Sequence, residues 1–297
     1  MEDKLRVLII GASGKVGKEI FKNLKNKDNK STYDIFGTYY TNQMEGLEQL
    51  DITNLPVVEK VLEKINPSIL IHTAAITYPL RCEENRELAW KINVEGTKNL
   101  AQCCMKKNCK MVFISSDGVF NGKNGPFDET HKTNPLNYYG ETKVESEKIV
   151  SEINDYLIIR TAWVNDVGPN SRSFVMQVIN SLQNGNVFNA PIDQFGHPTY
   201  STNLAEIIIE LIKNNYNGIF HVTGSTYIDR FHFAKKIAKA FDLNPEMIHE
   251  TTTDLNQSHT RPMKVQMKLD KLKSSISTKI LSLDEQLDSM RNNYHIV

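Results

Sequence analysis

Short runs of unbroken apolar residues alternate with amphipathic stretches through the first half of the chain. Val7-Leu-Ile-Ile10 and Ile69-Leu-Ile71 have no polar position between them. Such runs mark strands buried on both faces rather than on one. The pattern predicts strands over 6–10, 34–39, 69–73, 111–115 and 157–160. Near 16–25, 56–64, 88–105 and 139–153 the apolar positions recur at three- and four-residue spacing, which predicts helices. Strand and helix in regular alternation give a parallel sheet covered on both faces, with right-handed crossovers. The expected architecture is α/β, a doubly wound parallel sheet.

After Thr161 the alternation breaks. Residues 164–172 are polar and rich in turn formers, and 184–198 form another loop. Helix-like segments cover 174–183, 204–213 and 231–241, with a strand-like 218–222 and less regular segments beyond. No internal repeat is visible. Residues 1–165, joined by 195–225, are expected to build the sheet domain, and 166–194 with 226–297 a smaller C-terminal lobe.

Charge and composition remove several function classes. Over 297 residues, 35 basic side chains balance 35 acidic ones, so no net field draws in nucleic acid or an anionic membrane. No stretch approaches the roughly 20 apolar residues of a membrane span. The opening MEDKLRVLII has too short an apolar run for a signal peptide, so a cytoplasmic location is expected. Cys82, Cys103, Cys104 and Cys109 contain no C-x-x-C pair, and the expectation is reduced thiols with no metal.

The first strand runs directly into Gly11-Ala-Ser-Gly14-Lys-Val-Gly17 and then a helix. The first glycine makes a tight turn, the second lets backbone approach a pyrophosphate, and the third admits close helix–strand packing. The helix start offers free N–H groups and a partial positive charge to phosphates. A nicotinamide dinucleotide is therefore expected here. The second strand ends in Gly37-Thr-Tyr-Tyr-Thr-Asn42, with neither the acid that suits NAD nor the base that suits NADP. Lys15 and Lys18 are the nearest cations for a 2′-phosphate, which tilts the expectation to NADP(H) over NAD(H). Asp51 is either an acceptor for the adenine amino group or a turn and helix-cap residue. Ala74 and Ala75 end a strand with small side chains that leave room for a flat ring.

A later strand closes with Ser115-Ser116-Asp117, at the edge where doubly wound sheets bind ligands. Tyr139 and Lys143 come next, four residues apart and so on one helix face. An ammonium beside a phenol lowers the tyrosine pKa and suits Tyr139 to exchange a proton while hydride moves at a carbonyl carbon. Ser116 is placed to polarise the same oxygen.

In these residues the chain resembles the extended short-chain dehydrogenase/reductases, and among them the dTDP-4-dehydrorhamnose reductase group, over nearly its whole length. Gly11-x-x-Gly14-x-x-Gly17, His72-Thr-Ala-Ala75, Asn93, Ser115-Ser-Asp-Gly-Val-Phe120, Tyr139-Gly-Glu-Thr-Lys143, Ile159-Arg-Thr-Ala-Trp-Val164, Asp193-Gln-Phe-Gly-His-Pro-Thr199 and Arg261-Pro262 are similar to the group's motifs. The resemblance implies a Rossmann fold and an NAD(P)H-dependent reductase of a nucleotide-activated 4-keto-6-deoxy sugar. It implies Ser116, Tyr139 and Lys143 as the catalytic set. Gly11, Ser13, Gly14, Lys15, Val16, Gly17, Asp51, Ile52, Ala74, Ala75, Asn93, Tyr139 and Lys143 would hold the cofactor. Asp117, Trp163, Gln194 and Arg261 would meet the sugar nucleotide, in a chain that admits a homodimer. Three departures bear on which sugar is taken: Gly118 for the usual tyrosine, Asn165-Asp166 for Tyr-Gly, and Val265 and Gln266 for Asn-Ser. Two other functions share the fold. One is a sugar-nucleotide epimerase or dehydratase, although Gly118 stands where a dehydratase has its second acid. The other is a non-catalytic regulatory subunit like methionine adenosyltransferase beta.

Overall fold

The computed structural model describes residues 4–26, 29, 32–254 and 261–294. Seven strands build one parallel sheet: β1 (Leu5–Ile10), β2 (Tyr33–Tyr39), β3 (Glu48–Gln49), β4 (Ile69–His72), β5 (Lys110–Ser116), β6 (Tyr156–Thr161) and β7 (Gly218–His221). Their order across the sheet is β7-β6-β5-β4-β1-β2-β3. The chain leaves β1 in one direction and resumes on its other side at β4, which opens a crevice at the carboxyl ends of these two strands. Alternate residues along each strand feed opposite faces. Val7 and Ile9 join one buried cluster while Leu8 and Ile10 join another. Burial on both faces is why these runs contain no polar interruption.

The expected helices form at Lys15–Leu24, Leu55–Ile65 and Tyr138–Ser151. The single helix expected over 88–105 is instead broken into Arg86–Trp90, a wide π turn at Lys91–Glu95, and Gly96–Lys107. A π turn adds a residue to the helix and re-aims the turns after it. Asn93 lies within it and reaches the chain leaving β4, accepting from the Ile76 amide at 2.8 Å.

The lobe has its own core, including Val175, Ile179, Phe233, Ile237 and Leu287. Two features there depart from expectation. Helix Leu283–Asn293 buries Leu283, Leu287 and Met290 at four- and three-residue spacing, and Ser282 and Glu285 form a complete capping box; both signals stand in the sequence. Leu269 and Leu272 pack into the sheet's core rather than the lobe's, so the assignment of all of 226–297 to the lobe fails for that stretch. Among the described residues, no helix is long and apolar enough to cross a membrane. All four cysteines are free and buried.

Candidate active site

The crevice deepens into a cleft of about 850 Å³ that runs from the glycine turn to the lobe. At one end, Gly11 takes a left-handed φ of 79°, where other residues are strained. Gly17 lies under the turn, and a Cβ there would stand 2.3 Å from the Gly11 carbonyl oxygen. Gly14 begins the Lys15–Leu24 helix with no side-chain cap, so the first N–H groups remain for an anion. Gly11, Ser13, Gly14, Lys15 and Val16 line the cleft, with Asp51, Ile52, Ala74 and Ala75 beside them. These features fit a dinucleotide.

Two residues expected to touch the cofactor stand behind the wall instead. Gly17 serves packing. Asn93 donates to the Ile76 carbonyl at 3.1 Å and to Thr142 Oγ1 at 3.1 Å. It ties the β4 exit to the Tyr138–Ser151 helix and so sets the cleft's width. Asp51 accepts from the Thr53 amide and hydroxyl at 2.9 and 2.8 Å, while Asn54 caps the next helix. The turn reading of Asp51 therefore stands and the cap reading does not. Its position on the cleft wall leaves the adenine reading in place. The lysines depart further from expectation. Lys15 donates to the Val164 carbonyl at 3.0 Å and pairs with Asp166 at 3.4 Å. Lys18 is exposed and does not line the cleft. The end of β2 presents Thr38, Tyr39, Tyr40, Thr41 and Asn42, hydroxyl and amide donors rather than a cation.

Midway along the cleft stand Ser116, Tyr139 and Lys143. Ser116 ends β5, and Asn137 caps the Tyr138–Ser151 helix by accepting from the Gly140 amide at 2.8 Å. Gly140 lets that helix start press on the preceding loop, since a Cβ there would meet the Gly118 carbonyl oxygen at 2.2 Å. Beneath the floor, Glu147 accepts from Ser115 Oγ at 2.5 Å and from Arg160 Nη2 at 2.7 Å, locking strand to helix. Burial raises the Tyr139 pKa above its ordinary value, and the Ser116 hydroxyl acts the other way. The expected lowering by Lys143 is not what the structure shows. Lys143 donates to the Ile114 carbonyl at 2.6 Å and lies 4.0 Å over the Phe113 ring. Burial lowers its own pKa to about 7, against an opposing pull from Glu147. Desolvation outweighs the mutual influence that four-residue spacing suggests.

At the lobe end the cleft is lined by Asp117, Gly118, Trp163, Gln194, Arg261 and one residue the motifs do not include, Arg230. Asp117 accepts from Ser116 Oγ at 3.0 Å, and burial raises its pKa to about 6. Trp163 has a left-handed φ of 41°, held by Asn165 Nδ2 donating to its carbonyl at 2.5 Å. Of the three departures from the motifs, only Gly118 faces the cleft. Asn165 and Val265 are buried in packing roles, the latter beside Phe120 and Met267. Arg230 has one legible signal: it opens a helix, where a cation opposes the helix dipole.

The sequence model of the RmlD substrate binding domain matches residues 5–296. A dTDP-4-dehydrorhamnose reductase of Aggregatibacter actinomycetemcomitans is 27% identical over 301 residues, covering 96% of this chain and 98% of that one. The methionine adenosyltransferase 2 subunit beta of Xenopus tropicalis is 28% identical, covering 90% of this chain and 81% of its own. Among solved structures, a dTDP-4-dehydrorhamnose reductase of Bacillus anthracis in complex with NADP superimposes with a TM-score of 0.88 at 32% identity, covering 99% of each chain.

Proposed function

The chain belongs to the RmlD substrate binding domain family, and from that premise we propose that it is an NADP(H)-dependent reductase of a nucleotide-activated 4-keto-6-deoxy sugar. One observation carries the reading: Ser116, Tyr139 and Lys143 line a single cleft that begins at an uncapped helix start. The similarity to a reductase in complex with NADP supports the cofactor. Thr38 to Asn42 would meet its adenosine end, and the glycine turn its pyrophosphate.

The bound dinucleotide supplies a hydride to the carbonyl carbon. The Ser116 hydroxyl donates to the carbonyl oxygen and polarises it. Tyr139 then delivers its proton to that oxygen. Its raised pKa keeps the phenol protonated at neutral pH, the state that reduction requires. Lys143, whose ammonium donates to the Ile114 carbonyl on the same cleft, would hold the nicotinamide ribose. Asn93 and Glu147 act as positioning residues that hold the two walls in register. On this reading residues 1–165 with 195–225 hold the cofactor, while 166–194 and most of 226–297 hold the sugar nucleotide.

The test is direct. Incubation with NADPH and a panel of 4-keto-6-deoxy sugar nucleotides should consume NADPH with at least one of them, and consumption with none overturns the proposal. A second reading draws on the similarity to a methionine adenosyltransferase subunit. Recovery of a synthetase partner from a pull-down, with NADPH bound but no sugar reduced, would favour it.

A further inference from the structure

A fold needs glycine for one of two reasons: a left-handed backbone that strains other residues, or a neighbour too close for a Cβ. All 15 glycines of the chain lie within the described residues. Six have the left-handed φ. At eight others a Cβ would stand 3.2 Å or less from its nearest neighbour. Gly118 has neither reason. Its φ is not left-handed, and a Cβ there would meet Ser116 Oγ at 3.4 Å and the Tyr139 ring at 3.5 Å, ordinary contact distances. Glycine loses more backbone freedom on folding than alanine, so in the turn Asp117–Val119 it destabilises the chain with no gain to the fold.

What the small residue leaves free is the cleft wall beside Ser116 and Tyr139, the two hydroxyls assigned to the carbonyl oxygen. The rest of the lobe end is held in place. The Trp163 ring lies against Gly196, where a Cβ would come within 2.5 Å of it, and the Arg230 guanidinium covers the ring at 3.6 Å. Gln194 accepts from the Arg230 amide with its carbonyl at 3.0 Å and from Arg261 Nη1 with its side chain at 3.3 Å. Bulk on the substrate beside the carbonyl therefore finds room at Gly118 and not at these residues. In a 4-keto-6-deoxy sugar the carbonyl is flanked by C5, which bears the methyl group, and by C3, whose substituent differs between sugars. Asp117 adjoins the space and feels the Arg230 charge. Both an acceptor and a donor suit such surroundings, as an amide supplies and an alkyl branch does not.

We propose that Gly118 is a specificity-determining residue that admits an acylated amine at C3, next to the reacting carbonyl. This rests on the sugar-nucleotide reading above. The substrate class is then a nucleotide-activated 3-acylamino-4-keto-6-deoxy sugar, and any side chain at position 118 works against it.

Steady-state reduction by NADPH of 4-keto-6-deoxy sugar nucleotides with hydroxyl or acetamido at C3, in dTDP- and UDP-activated forms, tests it in wild type and G118A. Wild type should reduce the acetamido sugar. G118A should lower kcat/KM for it by about ten- to hundredfold more than for the hydroxyl sugar. Its thermal midpoint should match or exceed that of wild type. Wild type that reduces the hydroxyl sugar alone overturns the proposal and leaves the reductase reading standing. An equal effect of G118A on both sugars, or none on either, overturns it too. So does a G118A protein that melts earlier or fails to fold, because glycine would then serve the fold. Wild type that reduces neither sugar overturns the sugar-nucleotide reading together with the proposal.

Discussion

The two ends of the cleft are built by opposite means. The glycine-turn end comes from seven consecutive residues, Gly11 to Gly17, and most of what it offers is backbone. The lobe end gathers Asp117, Trp163, Gln194, Arg230 and Arg261 from five separate segments, and what it offers is side chain. A backbone site tolerates change at exposed positions and fails where a Cβ intrudes. A side-chain site fails wherever one member is lost, because each is held by the others. The proposed chemistry sits between the two, where β5 meets the Tyr138–Ser151 helix.

The largest expected effect lies at that junction. Tyr139→Phe should lower kcat by about 10²- to 10⁴-fold while NADPH and nucleoside diphosphate affinities hold, as stopped-flow turnover and calorimetry would show. Loss of binding at either end would mean that Tyr139 supports the cleft rather than reacting in it. Next comes Gly17→Ala, whose methyl group must displace the Gly11 carbonyl. It should cost about 1–3 kcal/mol of stability and weaken NADPH binding, with nucleoside diphosphate affinity kept in parallel titrations. Equal weakening at both ends would erase the distinction between them.

A smaller effect is expected at Lys143, whose pKa is lowered by burial from 10.5 to about 7. Between those pH values the unfolded chain binds more protons than the folded one, so stability rises with pH across that window. Lys143→Met should remove this contribution, up to about 1.4 kcal/mol per pH unit, in denaturation curves taken on either side of it. The same loss of the ammonium above about pH 7 should bring a falling limb to kcat/KM, and a flat profile there would count against a charged Lys143 in the reaction. The smallest effect is at Asp166, whose pair with Lys15 joins the glycine turn to the loop leading into the lobe. Because both side chains are partly exposed, Asp166→Asn should change NADPH affinity by less than about 1 kcal/mol. A larger change would show that the two ends are coupled.

The same contrast explains how legible each part is in the sequence. The β1 and β4 runs announce a doubly covered sheet because burial on both faces admits no polar residue. The glycine turn is readable because its backbone geometry excludes side chains at fixed spacing. Tyr139 and Lys143 are readable as a pair through helix spacing, but their mutual effect is not: spacing carries no information about the Ile114 carbonyl that takes the ammonium. Lys15 misleads in the same way, since Asp166 lies far along the chain. Arg230 escapes notice because a single arginine at a helix start looks like surface until Trp163 and Phe174 close around it.

By itself the sequence determined the parallel sheet, the place of the glycine turn and the proposal of Ser116, Tyr139 and Lys143 as a set. These depend on local periodicity and on contacts between near neighbours. Only the tertiary structure decided the protonation balance of Tyr139 and Lys143, the partner of Lys15 and the convergence of Arg230 with Arg261. Those properties are set by desolvation and by charges brought together from distant segments, and neither exists until the chain has folded.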